Sequence, residues 1–216
     1  MFETVTALRP RGPDLVAAMA AVAQANLVQL QTAAYRRFNG PAPSLSSPGA
    51  ITRFREALID YRLLREYTEA ALLLRLHEIW GQHCLFCWAF RHADPHRPPA
   101  FLQNPGEMRC PGEIGAKMQE ISRGLWRLRH EDRLRHLPEL RSDPKFIREY
   151  EAAQEIPMLV YGRNVRTCSD DDLLACTCEY AGMLAAIRWI ADDRWTWNAP
   201  GIMELDATPP GRRSDE

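Results

Sequence analysis

The chain has 216 residues, of which 46% are hydrophobic and 25% charged, with a formal net charge of -1. These values fit one ordinary globular core and exclude collagen-like, low-complexity and disulfide-dense chains. The near-neutral balance argues against a polyanion partner recruited by bulk charge. The charge is uneven, however: residues 1–150 carry 21 Lys/Arg against 16 Asp/Glu, and residues 151–216 carry 6 against 12. Nearly every basic residue is arginine, since only Lys117 and Lys145 are lysines. Arginine suits forked contacts to carboxylate or phosphate.

Arg9 and Arg11 precede the apolar run Leu15–Ala23, and Ala21-Val22-Ala23 has the small-residue pattern of a cleavage site. Leu15, Met19, Val22, Asn26 and Leu30 fall at helical spacing, so the stretch reads as an amphipathic helix. No run reaches the ~18 apolar residues of a membrane span. The reading is a cytoplasmic protein with reduced thiols, its six cysteines being too dilute for a disulfide scaffold.

The fold class expected is mainly α, with about five helices around one core and a minor β-hairpin near 157–167. Residues 1–38 hold an N-terminal helix opening at Pro13-Asp14, either an arm or packed back on the body. Residues 39–50, beginning Asn39-Gly40-Pro41, form a linker. The helical body spans 51–206, and 207–216 read as a disordered tail.

Within the body the first helix extends at most from Arg53 to Ala93, with its sharpest stripe at Leu72, Leu76, Ile79, His83, Cys87 and Phe90. Gly81 weakens its middle by ~1 kcal/mol relative to Ala, which points to a bend there. A proline-rich loop, 94–112, needs tying down. Next come a helix at Glu113–His136, a short helix from Asp143-Pro144 to Ala153, and the hairpin turning at Gly162-Arg163-Asn164. The last helix is capped by Ser169, with Asp172 as its capping-box partner, and runs to Asp192. No internal repeat is evident.

Three groups of residues could carry chemistry. Cys84 and Cys87, with His92 or His96 and Cys110, have the ligand types of a zinc site, Cys110 returning from the proline-rich loop to hold it. Buried core thiols are the competing reading. Arg123, Arg127, Arg129, Arg133 and Arg135, with Trp126, form a basic patch suited to nucleic acid. Interleaved Glu120, Glu131, Asp132 and Glu139 are equally what a solvated amphipathic face shows. Trp189, Trp195 and Trp197 make an aromatic cluster for a protein partner, unless Trp195 and Trp197 instead cover the core as a lid. His77-Glu78 lacks the second histidine of a zinc-protease helix, and no phosphate loop or nucleophile elbow is present.

The leading expectation is a non-catalytic interaction or regulatory protein, acting on a protein partner or on itself through helix surfaces and C-terminal aromatics. The alternative is a nucleic-acid-associated module with structural zinc. The third class is a metal- or cysteine-dependent enzyme.

Overall fold

A computed structural model describes residues 8–39, 68–91 and 106–194. Among them are five α-helices and one two-stranded hairpin. The helices are α1 (Pro13–Asn39), α2 (Glu69–Trp88), α3 (Pro111–His136), α4 (Pro144–Gln154) and α5 (Asp170–Ala191). A 3-10 turn, Pro138–Ser142, links α3 to α4. Strands β1 (Leu159–Val160) and β2 (Arg163–Asn164) pair antiparallel, Val160 opposite Arg163. The mainly helical fold and the minor hairpin are as the periodicity predicts.

The boundaries have local causes. Proline stands in the first turn of α1, α3 and α4, where its missing N–H costs nothing. Asp143 accepts from the Lys145 amide at 2.8 Å to cap α4, and Ser169 Oγ accepts from the Asp172 amide at 3.1 Å to cap α5. Tyr161 and Gly162 both have positive φ, 48° and 81°, between the paired residues Val160 and Arg163. A two-residue hairpin loop needs that geometry. Tyrosine is an unusual choice there, and the conformation costs on the order of 1–2 kcal/mol.

The apolar clusters fix the helix directions. One cluster joins the start of α1 (Val16, Met19), the end of α2 (Leu85, Phe86), the start of α3 (Ile114, Ile121) and the end of α5 (Ile187, Ile190). At the opposite end the core divides. Leu27, Leu30 and Ala34 of α1 meet Leu72 and Ile79 of α2. Separately, Leu128 of α3 meets Val160, Val165, Leu173 and Cys176. So α1 runs antiparallel to α2, α3 runs antiparallel to α5, and α2 and α5 run parallel through the centre.

The two antiparallel helix pairs, α1–α2 and α3–α5, place buried residues at matching spacings. One constant shift in numbering carries Val16, Ala23, Leu27 and Leu30 onto Ile114, Ile121, Leu125 and Leu128, all buried. A second shift carries Leu72, Glu78, Gly81 and Phe86 onto Leu173, Glu179, Gly182 and Ile187. Leu27/Leu125, Leu30/Leu128, Leu72/Leu173, Glu78/Glu179 and Gly81/Gly182 also share the residue itself. Where the central helices cross, a Cβ on Gly81 would overlap the Glu179 carbonyl oxygen, and a Cβ on Gly182 would overlap that of Glu78. Gly81 thus permits close approach, and α2 runs unbroken through it.

Helix α1 packs on the body through Val16, Met19 and Leu30. The segment before it is tied to the end of α5: Arg11 N donates to Ile190 O at 2.9 Å, and Asp193 N to Arg9 O at 3.2 Å. Two stretches, Pro13–Ala34 and Asp170–Ala191, are long and apolar enough to cross a membrane by length and composition, which corrects the expectation of none. About half of each is buried against the other helices. The expected linker beyond Asn39, the start of the body helix at 53–67 and the tail at 207–216 lie outside the described residues.

Candidate functional site

The thiols come first. Cys87 is fully buried on α2, with its Sγ 3.7 Å from His83 Nε2. Cys84 is half-buried one turn earlier, and Cys110 is exposed as the N-cap of α3. Among the described residues no three His, Cys, Asp or Glu side chains converge in a way that could hold a metal ion, and these three cysteines are not brought together. His92 and His96 lie outside the described residues. The proline-rich loop is instead closed by backbone pairing, with Phe90 bridged to Met108. Arg91 N donates to Glu107 O at 2.8 Å and Arg109 N to Ala89 O at 2.9 Å. Glu113 anchors the same end, accepting from the Cys110 amide at 3.0 Å, Arg91 Nη2 at 2.7 Å and Arg109 Nη1 at 3.1 Å.

Burial, and then the charge of Glu179, push the Cys84 thiol up to about 12. Cys176 and Cys178 are likewise pushed up to about 12, with burial the largest cause. A thiol that keeps its proton at neutral pH is a poor nucleophile and a poor ligand.

The arginine patch divides in two. Arg127, 1% exposed, is an internal residue: its Nη1 donates to Glu131 Oε2 at 3.0 Å, and its guanidinium lies 5.5 Å from the Tyr150 ring centre. Tyr150 OH donates to the same carboxylate at 3.1 Å. Arg135 is also structural, as it ties the end of α3 to the hairpin and to the start of α5. Its Nη1 donates to Cys168 O at 3.0 Å and Asp170 Oδ1 at 2.7 Å, and its Nη2 to Val165 O at 2.7 Å. These two leave the patch because Glu131, one turn away on the same helix, faces α4 and needs cations there.

Arg123, Arg129 and Trp126 are exposed, and Arg133 is half-exposed. At about 100° per residue these four fall within roughly 120° of arc on α3. The acids of α3 lie off that arc and are engaged elsewhere. Glu113 holds Arg91 and Arg109, Glu120 holds Lys117, Glu131 holds Arg127, and Asp132 holds His136. Among the described residues Arg123, Arg129 and Arg133 make no ion pair with a carboxylate. Desolvation, then the charges of Arg133 and Arg188, lower the Arg129 pKa.

Beneath Trp126 lies His130, 3% exposed. Its Nδ1 lies 2.8 Å from Trp126 O, and its ring is 4.4 Å from the indole and stacks on Phe146 of α4 at 5.8 Å. Its Nε2 is buried without a hydrogen bond, with Glu149 Oε2 3.6 Å away. This packing holds Trp126 at the surface.

Trp189 is 4% exposed, which removes it from any partner surface. It packs edge-on against Phe86 at 5.9 Å, and the Arg11 guanidinium sits 4.4 Å above its ring. Trp189 lies on the buried face of α5. Trp195 and Trp197 lie outside the described residues.

One polar cluster escapes the sequence reading. Glu179 Oε1 accepts from Tyr161 OH at 2.7 Å and lies 2.8 Å from His77 Nδ1. The cluster joins both central helices to the hairpin tip, which accounts for the strained Tyr161. A tyrosine where the loop favours Asn or Gly was the available signal.

No family model, no curated protein and no solved structure matches this chain.

Proposed function

We propose that this chain is a non-catalytic interaction or regulatory protein that engages an anionic partner through the outer face of α3. The observation that carries this reading is the stripe of Arg123, Arg129 and Arg133, whose charges no carboxylate of their own helix neutralises. Arginines four apart on a helix repel one another, so the stripe costs stability unless a ligand uses it. Among the described residues, several chemistry-bearing side chains are in closed internal contacts: His77 with Glu179, Glu131 with Arg127 and Tyr150, and three of the six thiols held protonated.

The test is retention of the full chain on an immobilised polyanion at low salt. The parent should be retained despite its net charge of -1, and Arg129→Gln with Arg133→Gln should elute at lower salt. A parent that flows through unretained would sink the reading.

A further inference from the structure

We infer that the anionic partner is single-stranded nucleic acid, its backbone lying along Arg123, Arg129 and Arg133 and a base stacking on Trp126. This rests on the anionic-partner reading and adds the class of ligand.

The distinguishing residue is Trp126. Arginines alone suit any polyanion, including an acidic peptide, but an exposed indole among them offers an unpaired base a stacking surface. Trp126 is 37% exposed, although a large aromatic ring is ordinarily hidden. It sits between Arg123 and Arg129 on the stripe, and His130 and Phe146 support it from below. The stripe from Arg123 to Arg133 spans about 15 Å along the helix. That is the length of several bases stacked at ~3.4 Å. Arginine also stacks on bases, which lysine does less well. Glu149 of α4 lies 3.6 Å from His130 Nε2.

The experiment uses the full chain and a labelled oligouridylate of about 16 nucleotides, followed by fluorescence anisotropy over a range of salt concentrations. Binding should weaken steeply with salt. Arg129→Gln with Arg133→Gln should reduce the slope of log affinity against log salt by about 1.4. Trp126→Ala should weaken binding at least about fivefold, whereas Trp126→Phe, which keeps a ring, should bind nearly as the parent does. Melting curves of each variant separate lost stacking from lost folding, because the indole also packs on His130. Absence of oligouridylate binding at low salt, or binding that neither substitution changes, would overturn the inference. If the parent binds poly-glutamate but not the oligonucleotide, the nucleic-acid inference fails and the anionic-partner reading stands. If it binds neither, both fail.

Discussion

Gly81 and Gly182 face each other's helices as counterparts, each lying against the carbonyl of the glutamate three residues before the other. Neither position has room for a methyl group, because the neighbour is backbone and cannot rotate away. Gly81→Ala and Gly182→Ala should each destabilise the fold by about 1–3 kcal/mol, despite the better helix propensity of alanine. Gly162→Ala is a different case, since nothing crowds that site and only its positive φ resists a side chain. Chemical denaturation of the three variants checks this. A stabilised Gly182→Ala would mean the helices do not cross there.

The Arg127–Glu131 pair is almost wholly buried. Removing one partner leaves the other charged in the interior. Glu131→Gln or Arg127→Met should cost about 3–5 kcal/mol, and the double variant less than the sum of the two. A double-mutant cycle in urea measures the coupling.

The thiols should separate by reactivity. Cys110 is exposed, and the other five are buried or half-buried. At neutral pH one thiol should react quickly with a disulfide reagent, and mass mapping should place it at Cys110. The raised thiols also set an alkaline limit. Cys84, Cys176 and Cys178 hold their protons to about 12 in the fold, against an ordinary 9.0. Their contribution to stability is present below the ordinary value and is lost as pH rises through about 12, because the unfolded chain releases those protons first. Stability should therefore fall from about pH 9 upward, and a thiol-free variant should show a shallower fall.

Helix α1 belongs to the core. Met19 and Leu30 are 2% and 0% exposed, against the ends of α2 and within separate clusters. Met19→Ala and Leu30→Ala should each cost about 2–5 kcal/mol. Because the sites are well apart, the double variant should be additive. Unchanged melting temperatures would make α1 an independent arm.

Most helices were legible because local chemistry marks them: Pro13-Asp14, Asp143-Pro144 and Ser169 each open a helix where the sequence places one. The candidate site was legible only in part. An arginine on an amphipathic helix reads as surface, and only the packing of α4, which brings Tyr150 to Glu131, draws Arg127 inside. The acids interleaved with the arginines read as neutralising them, yet their pairing with Lys117, Arg127 and His136 is set by helix geometry that charge counting ignores. Gly81 read as a weak point because its partner, the carbonyl of Glu179, is far away in sequence.

Trp126 provides the most direct test. Its fluorescence change on addition of oligouridylate is obtained by comparing the parent with Trp126→Phe, which removes only that indole. The account predicts quenching in the parent that is reversed by salt, absent from Trp126→Phe and weakened in Arg129→Gln with Arg133→Gln. Quenching of equal size in all three proteins, or none in the parent at low salt, would contradict it.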